Sequence, residues 1–171
     1  AAFTYALRIP GWCSGKFTLA CNGAPVSYQM QDGYALIERT WQNGDSVMFV
    51  PDMPVQRLYA NPRVRDDIGK VAIRRGPVVY CLEEADNGKG LQRVYLPTHA
   101  VFTERPLPQP LGKGLALACT GLSVVESSEN APLYQTTPPT LVARDLLWIP
   151  YYAWANRAAG EMTVWVHAMS M

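Results

Sequence analysis

Apolar and polar positions alternate with a period of two through the first third of the chain. In Phe3-Thr-Tyr-Ala-Leu-Arg-Ile-Pro10, residues Phe3, Tyr5, Leu7 and Ile9 share one face, which predicts a half-buried strand ended by Pro10-Gly11. A second short strand is expected over 16–20, with Phe17 and Leu19 inward, closed by the tight-turn signal Asn22-Gly23. Val26 and Tyr28 continue the alternation. Asp32-Gly33 turns the chain into a strand over 34–38, and Asn43-Gly44-Asp45 into another over 46–50. Pro51 and Pro54 bracket a corner, and 55–59 reads as the last strand of this part.

The stretch Lys70-Val-Ala-Ile-Arg-Arg-Gly-Pro-Val-Val-Tyr-Cys-Leu-Glu83 predicts two strands joined at Gly76-Pro77. Pro77 has no ladder donor, so it belongs at a strand start or bulge. The polar, turn-rich segment 61–69 precedes this stretch and marks the expected boundary between two units, 1–66 and 67–171. In the second unit, 85–90 reads as a flexible loop, and 94–96 and 100–103 as short strands. The run 105–114 is an extended Pro/Gly connector, followed by strand character at 115–119 and 122–125. A loop over 127–139 leads into strands at 140–149 and 162–166. No helical period is sustained over ten residues, so helix is limited to a turn or two near 152–157. Short strands with frequent turns predict an all-β fold: two small antiparallel β-sandwich units in tandem with little helix.

Composition narrows the class. Of 171 residues, 49% are hydrophobic, enough for a core, and the formal net charge of +1 gives no electrostatic footprint for nucleic acid or a membrane surface. No apolar run is long enough to cross a bilayer. Cys13, Cys21, Cys81 and Cys119 form no C-x-x-C pair, and only His99 and His167 are available to join them. They read as buried free thiols rather than a zinc set, which fits a reducing cytoplasm. The chain starts inside what reads as a strand, so the first unit is expected to be truncated on its N-terminal side. Its open sheet edge would invite homo-oligomerisation or strand exchange.

Paired acid/base catalysis commonly uses two carboxylates that converge on one bond. Glu83-Glu84 and Asp66-Asp67 are the acidic pairs, but strand neighbours point to opposite faces, so both read as solvated loop or strand-end charge. No Gly-x-Ser-x-Gly elbow is present. His99 and His167 read as structural or surface residues.

Several segments together resemble one family: Leu7-Arg-Ile-Pro-Gly-Trp12, Asn22-Gly23, Gly33-Tyr34, Arg39-Thr-Trp41 with Gly44-Asp45, Val71-Ala-Ile-Arg-Arg-Gly-Pro-Val-Val-Tyr80, Ile149-Pro-Tyr-Tyr-Ala-Trp-Ala-Asn-Arg157 and Glu161-Met-Thr-Val-Trp165. In this order they resemble the C-terminal part of glycoside hydrolase family 127, the β-L-arabinofuranosidases. The resemblance implies a parent enzyme whose active site lies in an N-terminal (α/α)6 barrel. There, zinc is held by cysteines and a glutamate, beside a cysteine nucleophile and a glutamate acid/base. None of those positions falls in the matched segments, so no catalytic residue, cofactor or metal site is carried over. The expected role is the non-catalytic C-terminal portion of a bacterial, cytoplasmic glycoside hydrolase, bracing its own barrel and supporting a dimer. The alternative is a carbohydrate-binding module. Tyr151, Tyr152, Trp154, Asn156 and Arg157 are the candidate interface or sugar contact: aromatic faces stack on sugars, and Asn and Arg bond hydroxyls, while the same residues also anchor domain interfaces. Trp12 and Trp41 read as core or interface. Arg74-Arg75 read as an interdomain ion-pair candidate or a solvated edge.

Overall fold

The structure is a computed structural model that describes residues 1–13, 16–128 and 130–170. The loop expected over 127–139 therefore includes one residue, Glu129, outside the described set. The chain divides into two compact units, Ala1–Pro54 and Val55–Met171.

The first unit holds strands β1 (Ala2–Arg8), β2 (Phe17–Cys21), β3 (Ala24–Pro25), β4 (Gln29–Gln31), β5 (Tyr34–Thr40) and β6 (Val47–Pro51). They form two three-stranded antiparallel sheets, ordered β1-β5-β4 and β3-β2-β6. Leu7, Ala35 and Ile37 from one sheet meet Phe17, Leu19 and Phe49 from the other in a single core, joined by Ile9 and Cys13. Two of its hairpins follow directly from sequence. Asn22-Gly23 and Asp32-Gly33 each take positive φ at both positions (51° and 80°, 50° and 81°), the twist that a two-residue hairpin loop requires. Asn22 also clasps the neighbouring turn: its Nδ2 donates to Asp45 Oδ1 at 2.7 Å, and its Oδ1 accepts from Ser46 N at 2.9 Å.

The second unit contains β7 (Val55–Tyr59), β8 (Lys70–Arg75), β9 (Val78–Glu83), β10 (Val94–Pro97), β11 (Thr103–Pro106), β12 (Leu115–Val124), β13 (Leu141–Pro150), β14 (Met162–Thr163) and β15 (Val166–Met169). One α-helical turn, α1 (Glu84–Asn87), and short 3-10 turns are the helical content of this unit. Here the sandwich expectation is corrected. The pairings run β8-β9-β13-β12-β10-β15 and return to β8, closing a six-stranded ring. The β10–β15 pairing is parallel. All six strands send apolar side chains to one interior, among them Ile73, Leu82, Leu96, Leu117, Trp148 and Val166. The alternate residues do not face water everywhere. Cys81, Ala116 and Ile149 form a second cluster with Leu107 and Ala153 on the outside of the ring. That cover explains why the run Val78–Leu82 is apolar at consecutive positions: burial on both faces removes the alternation.

The unit boundary also differs from expectation. It falls at Pro54/Val55 rather than 66/67, because β7 pairs with β8 from Val55↔Arg75 through Tyr59↔Val71 and so belongs to the second unit. The two strands expected at 115–119 and 122–125 are one continuous strand, and the single strand expected at 162–166 is split into β14 and β15. Five strands end on a proline (Pro25, Pro51, Pro97, Pro106, Pro150), where the missing N–H leaves no donor gap inside a ladder.

Candidate functional site

The candidate residues lie beyond the end of β13, on a segment tied down by β9 and α1. Glu83 closes β9 in the outward register set by Cys81, so its side chain enters the covered outer layer and is 2% exposed. Arg157 reaches it through the guanidinium fork: Nε donates to Glu83 Oε2 at 3.2 Å, Nη2 donates to both Glu83 and Asp86, and Nη1 donates to Asp86 Oδ1 at 2.8 Å. These charge-assisted bonds, Asp86's foremost, raise the Arg157 pKa further above its ordinary value. The other Glu83 oxygen accepts from Ala155 N at 3.3 Å. Ala155 sits at φ 63°, a left-handed conformation uncommon for a residue with a Cβ. Strain at this position is held by the Glu83 and Arg157 anchors on either side.

Asn156 turns back on the segment, its Nδ2 donating to the carbonyls of Ala153 and Trp154, each at 3.1 Å. Asn87, at the end of α1, is buried and bridges two elements. Its amide donates to Glu83 O and Leu147 O at 3.0 Å and accepts from Leu147 N at 2.9 Å. Glu161 Oε2 accepts from Gly90 N at 2.9 Å and Leu91 N at 2.8 Å, and those backbone donors hold its carboxyl below the usual carboxylate range.

The five candidate residues therefore separate by role. Tyr151, Tyr152 and Trp154 project outward at 47%, 65% and 38% exposure, with Tyr151 stacked on Trp154 at 6.0 Å and 25°. Arg157 reaches inward to Glu83 and Asp86, and Asn156, itself exposed, bonds the carbonyls of its own segment. A cavity of about 320 Å³ lies beside Trp154, lined by Glu83, Ala155, Arg157 and 158–160. Its charged groups already bond one another.

Other expectations resolve residue by residue. The solvated reading of Glu83-Glu84 is corrected: Glu83 is buried and paired with Arg157, and Glu84 Oε2 accepts from Glu161 N at 2.9 Å. The loop expected at 85–90 carries α1, because Asn87 pins it to β13. Asp66 is exposed and Asp67 half-buried on a 3-10 turn. Arg75 pairs with Glu104 at 2.8 Å and Arg74 Nε donates to Gln56 at 2.8 Å, both within the second unit. His99 is exposed, while His167 stacks on Tyr95 at 4.7 Å. All four cysteines are buried free thiols. Desolvation, with Glu83 nearby, pushes Cys81 up to about 12, and desolvation pushes Cys119 to about 11. Among the described residues no three His, Cys, Asp or Glu side chains gather in one group.

The family model of the glycoside hydrolase family 127 C-terminal domain matches residues 55–167, and that of the β-L-arabinofuranosidase GH127 middle domain matches residues 1–53. The chain belongs to glycoside hydrolase family 127. The boundary between the two family domains coincides with the structural division at Pro54. Among relatives, a non-reducing end β-L-arabinofuranosidase from Bifidobacterium longum subsp. longum is 34% identical over 165 residues, 94% of this chain and 25% of the relative. The crystal structure of a GH127 β-L-arabinofuranosidase from Geobacillus stearothermophilus T6 superposes with a TM-score of 0.89 at 43% identity, covering 99% of this chain and 27% of that one. A further GH127 β-arabinofuranosidase gives 0.86 at 31% identity over 99% of this chain and 28% of its own. This GH127 chain thus spans about a quarter of the length of the relatives it matches. No helix among its described residues is long and apolar enough to cross a membrane.

Proposed function

We propose that this chain supplies the non-catalytic middle and C-terminal β domains of a bacterial β-L-arabinofuranosidase and braces a separate catalytic barrel. The observation that carries the reading is the division of labour at the 151–157 segment. Arg157 is taken up by Glu83 and Asp86, the Asn156 Nδ2 bonds carbonyls of its own segment, and three aromatic side chains are left projecting from it. Such a surface suits docking against a neighbouring domain, where aromatics bury large areas at low entropic cost. The cysteine nucleophile, the glutamate acid/base and the zinc of the parent enzyme then lie in the barrel. The buried free thiols fit a reducing cytoplasm.

The test is hydrolysis of an aryl β-L-arabinofuranoside. The purified 171-residue chain is expected to give no turnover, whereas a longer protein in which it is joined to the family's remaining portion is expected to give it. Turnover by the isolated chain overturns the reading.

The Tyr151–Trp154 stack favours a second reading, a carbohydrate-binding module. Titration calorimetry with arabinan and arabino-oligosaccharides separates the two: heat that vanishes in Trp154→Ala supports sugar binding, and no heat at millimolar sugar leaves docking.

A further inference from the structure

Independently of the 151–157 segment, the dipeptide Asn-Gly occurs at 22–23, 43–44 and 87–88. An asparagine before glycine is chemically labile, because glycine has no Cβ to shield its backbone N from the Asn side-chain carbonyl carbon. Loss of the amide needs two freedoms. The Asn side chain must rotate its Cγ over the next backbone N, and that N must give up its proton. Asn22 lacks the first: its Nδ2 donates to Asp45 Oδ1 at 2.7 Å and its Oδ1 accepts from Ser46 N at 2.9 Å. Asn87 lacks both. It is 9% exposed, its amide makes three bonds to Glu83 O, Leu147 O and Leu147 N, and Gly88 N donates to Glu84 O at 2.7 Å. Asn43 is exposed in the turn between β5 and β6. Among the described residues its amide takes part in no hydrogen bond and Gly44 N donates to no acceptor, because the turn is held by Gln42 and Asp45 instead, at 2.9 and 3.2 Å. No heavy atom beyond the chain neighbours lies within 4 Å of where a Gly44 Cβ would stand, so the ring has room to form.

We propose that Asn43 is a modification site of the folded chain, deamidating without an enzyme through a succinimide formed with Gly44, while the fold protects Asn22 and Asn87. Gly44 N passes its proton to solvent base, and its electron pair forms a bond to Asn43 Cγ. The Cγ–Nδ2 bond breaks, and the nitrogen takes up a proton and leaves as ammonia. Water then opens the ring. Attack at Cγ gives aspartate, and attack at the main-chain carbonyl carbon gives isoaspartate, in which the main chain runs through the β carbon. Either product adds a carboxylate two positions from Asp45, whose own carboxylate holds Asn22 Nδ2 and Gln42 N. Isoaspartate also lengthens the turn by a main-chain atom. The modification therefore acts on the clasp that joins this turn to the β2–β3 hairpin.

The test holds the whole chain in mildly alkaline buffer and follows each Asn-Gly peptide by mass spectrometry, with isoaspartate located in the mapped peptides by an isoaspartyl carboxyl methyltransferase and a labelled methyl donor. A parallel sample in denaturant gives the rate of each site without structure, and there the three sites are expected to convert alike. In the native chain, Asn43 is expected to convert and to yield isoaspartate, with Asn22 and Asn87 more than about tenfold slower, the factor that two or three hydrogen bonds supply. Asn43→Ser is expected to keep the wild-type circular dichroism and to bring ammonia release from the native chain close to background. Native conversion at Asn22 or Asn87 as fast as at Asn43 overturns the proposal. So does protection of Asn43 equal to theirs, or ammonia release that survives Asn43→Ser.

Discussion

Glu83 occupies a position at which the sequence pattern and the structure part company. It follows an apolar run and precedes Glu84, and a carboxylate at a strand end ordinarily meets water. Here the outer layer over β9 takes it in, and Arg157 with Ala155 N satisfies both of its oxygens. Removing one member of a buried, fully bonded pair leaves the other uncompensated. Glu83→Ala is therefore expected to cost about 3–5 kcal/mol, read as a lower urea midpoint, while Glu83→Gln keeps the shape and costs less. Arg157→Lys loses the fork geometry and falls between the two. The thiols give a second residue-scale prediction. With Cys81 pushed up to about 12 and Cys119 to about 11, neither carries appreciable thiolate near neutral pH. Native protein at about pH 8 is expected to react with Ellman's reagent at none of its four buried cysteines within minutes, and at all four in denaturant.

The segment Gly90–Arg93 depends on a single carboxylate from another element. Glu161 holds the N–H groups of Gly90 and Leu91, so its folded pKa lies below that of the unfolded chain. A depressed carboxylate contributes stability that is complete above the unfolded value, about 4.3, and is lost as pH falls through the folded value. Amide protection at Gly90 and Leu91 is accordingly expected to be constant at neutral pH and to fall on acidification below about pH 4. Glu161→Gln should remove that pH dependence. At this scale much was legible in advance: Asn22-Gly23, Asp32-Gly33 and Gly76-Pro77 each close a hairpin, with positive φ at Asn22, Gly23, Asp32, Gly33 and Gly76, which favours such residues. Gly121 lies between the two strands expected at 115–119 and 122–125. It interrupts the apolar pattern of 115–125 as a turn would, yet β12 runs straight through it. A Cβ there would lie 2.9 Å from Tyr95 O and 2.5 Å from Leu146 Cδ1, so the glycine permits a close approach rather than a bend.

The two units differ in how their sheets end. Among the described residues the first pairs in two three-stranded sheets, and the second closes on itself through β8. Because β7 supplies the ladder along the full edge of β8 from Val71 to Arg75, the place where the chain is cut matters. A protein of residues 55–171 is expected to fold cooperatively, with dispersed amide resonances. One of residues 67–171 exposes that edge and the interior around Val71 and Ile73, and is expected to melt at lower temperature or aggregate. Equal melting of the two would place the boundary back at 66/67.

By itself the sequence determined the strands, because alternation, β-branching and turn residues act over a few neighbours. It also carried the family through an ordered set of segments. Ring closure, the burial of Glu83 and the unit boundary were decided only in three dimensions. Each depends on which distant strand lies alongside: β15 beside β8, the 151–157 segment over β9, β7 against β8. Pairing partners far apart in the chain leave no local periodicity, and a carboxylate that will be buried looks the same in sequence as one that will be solvated.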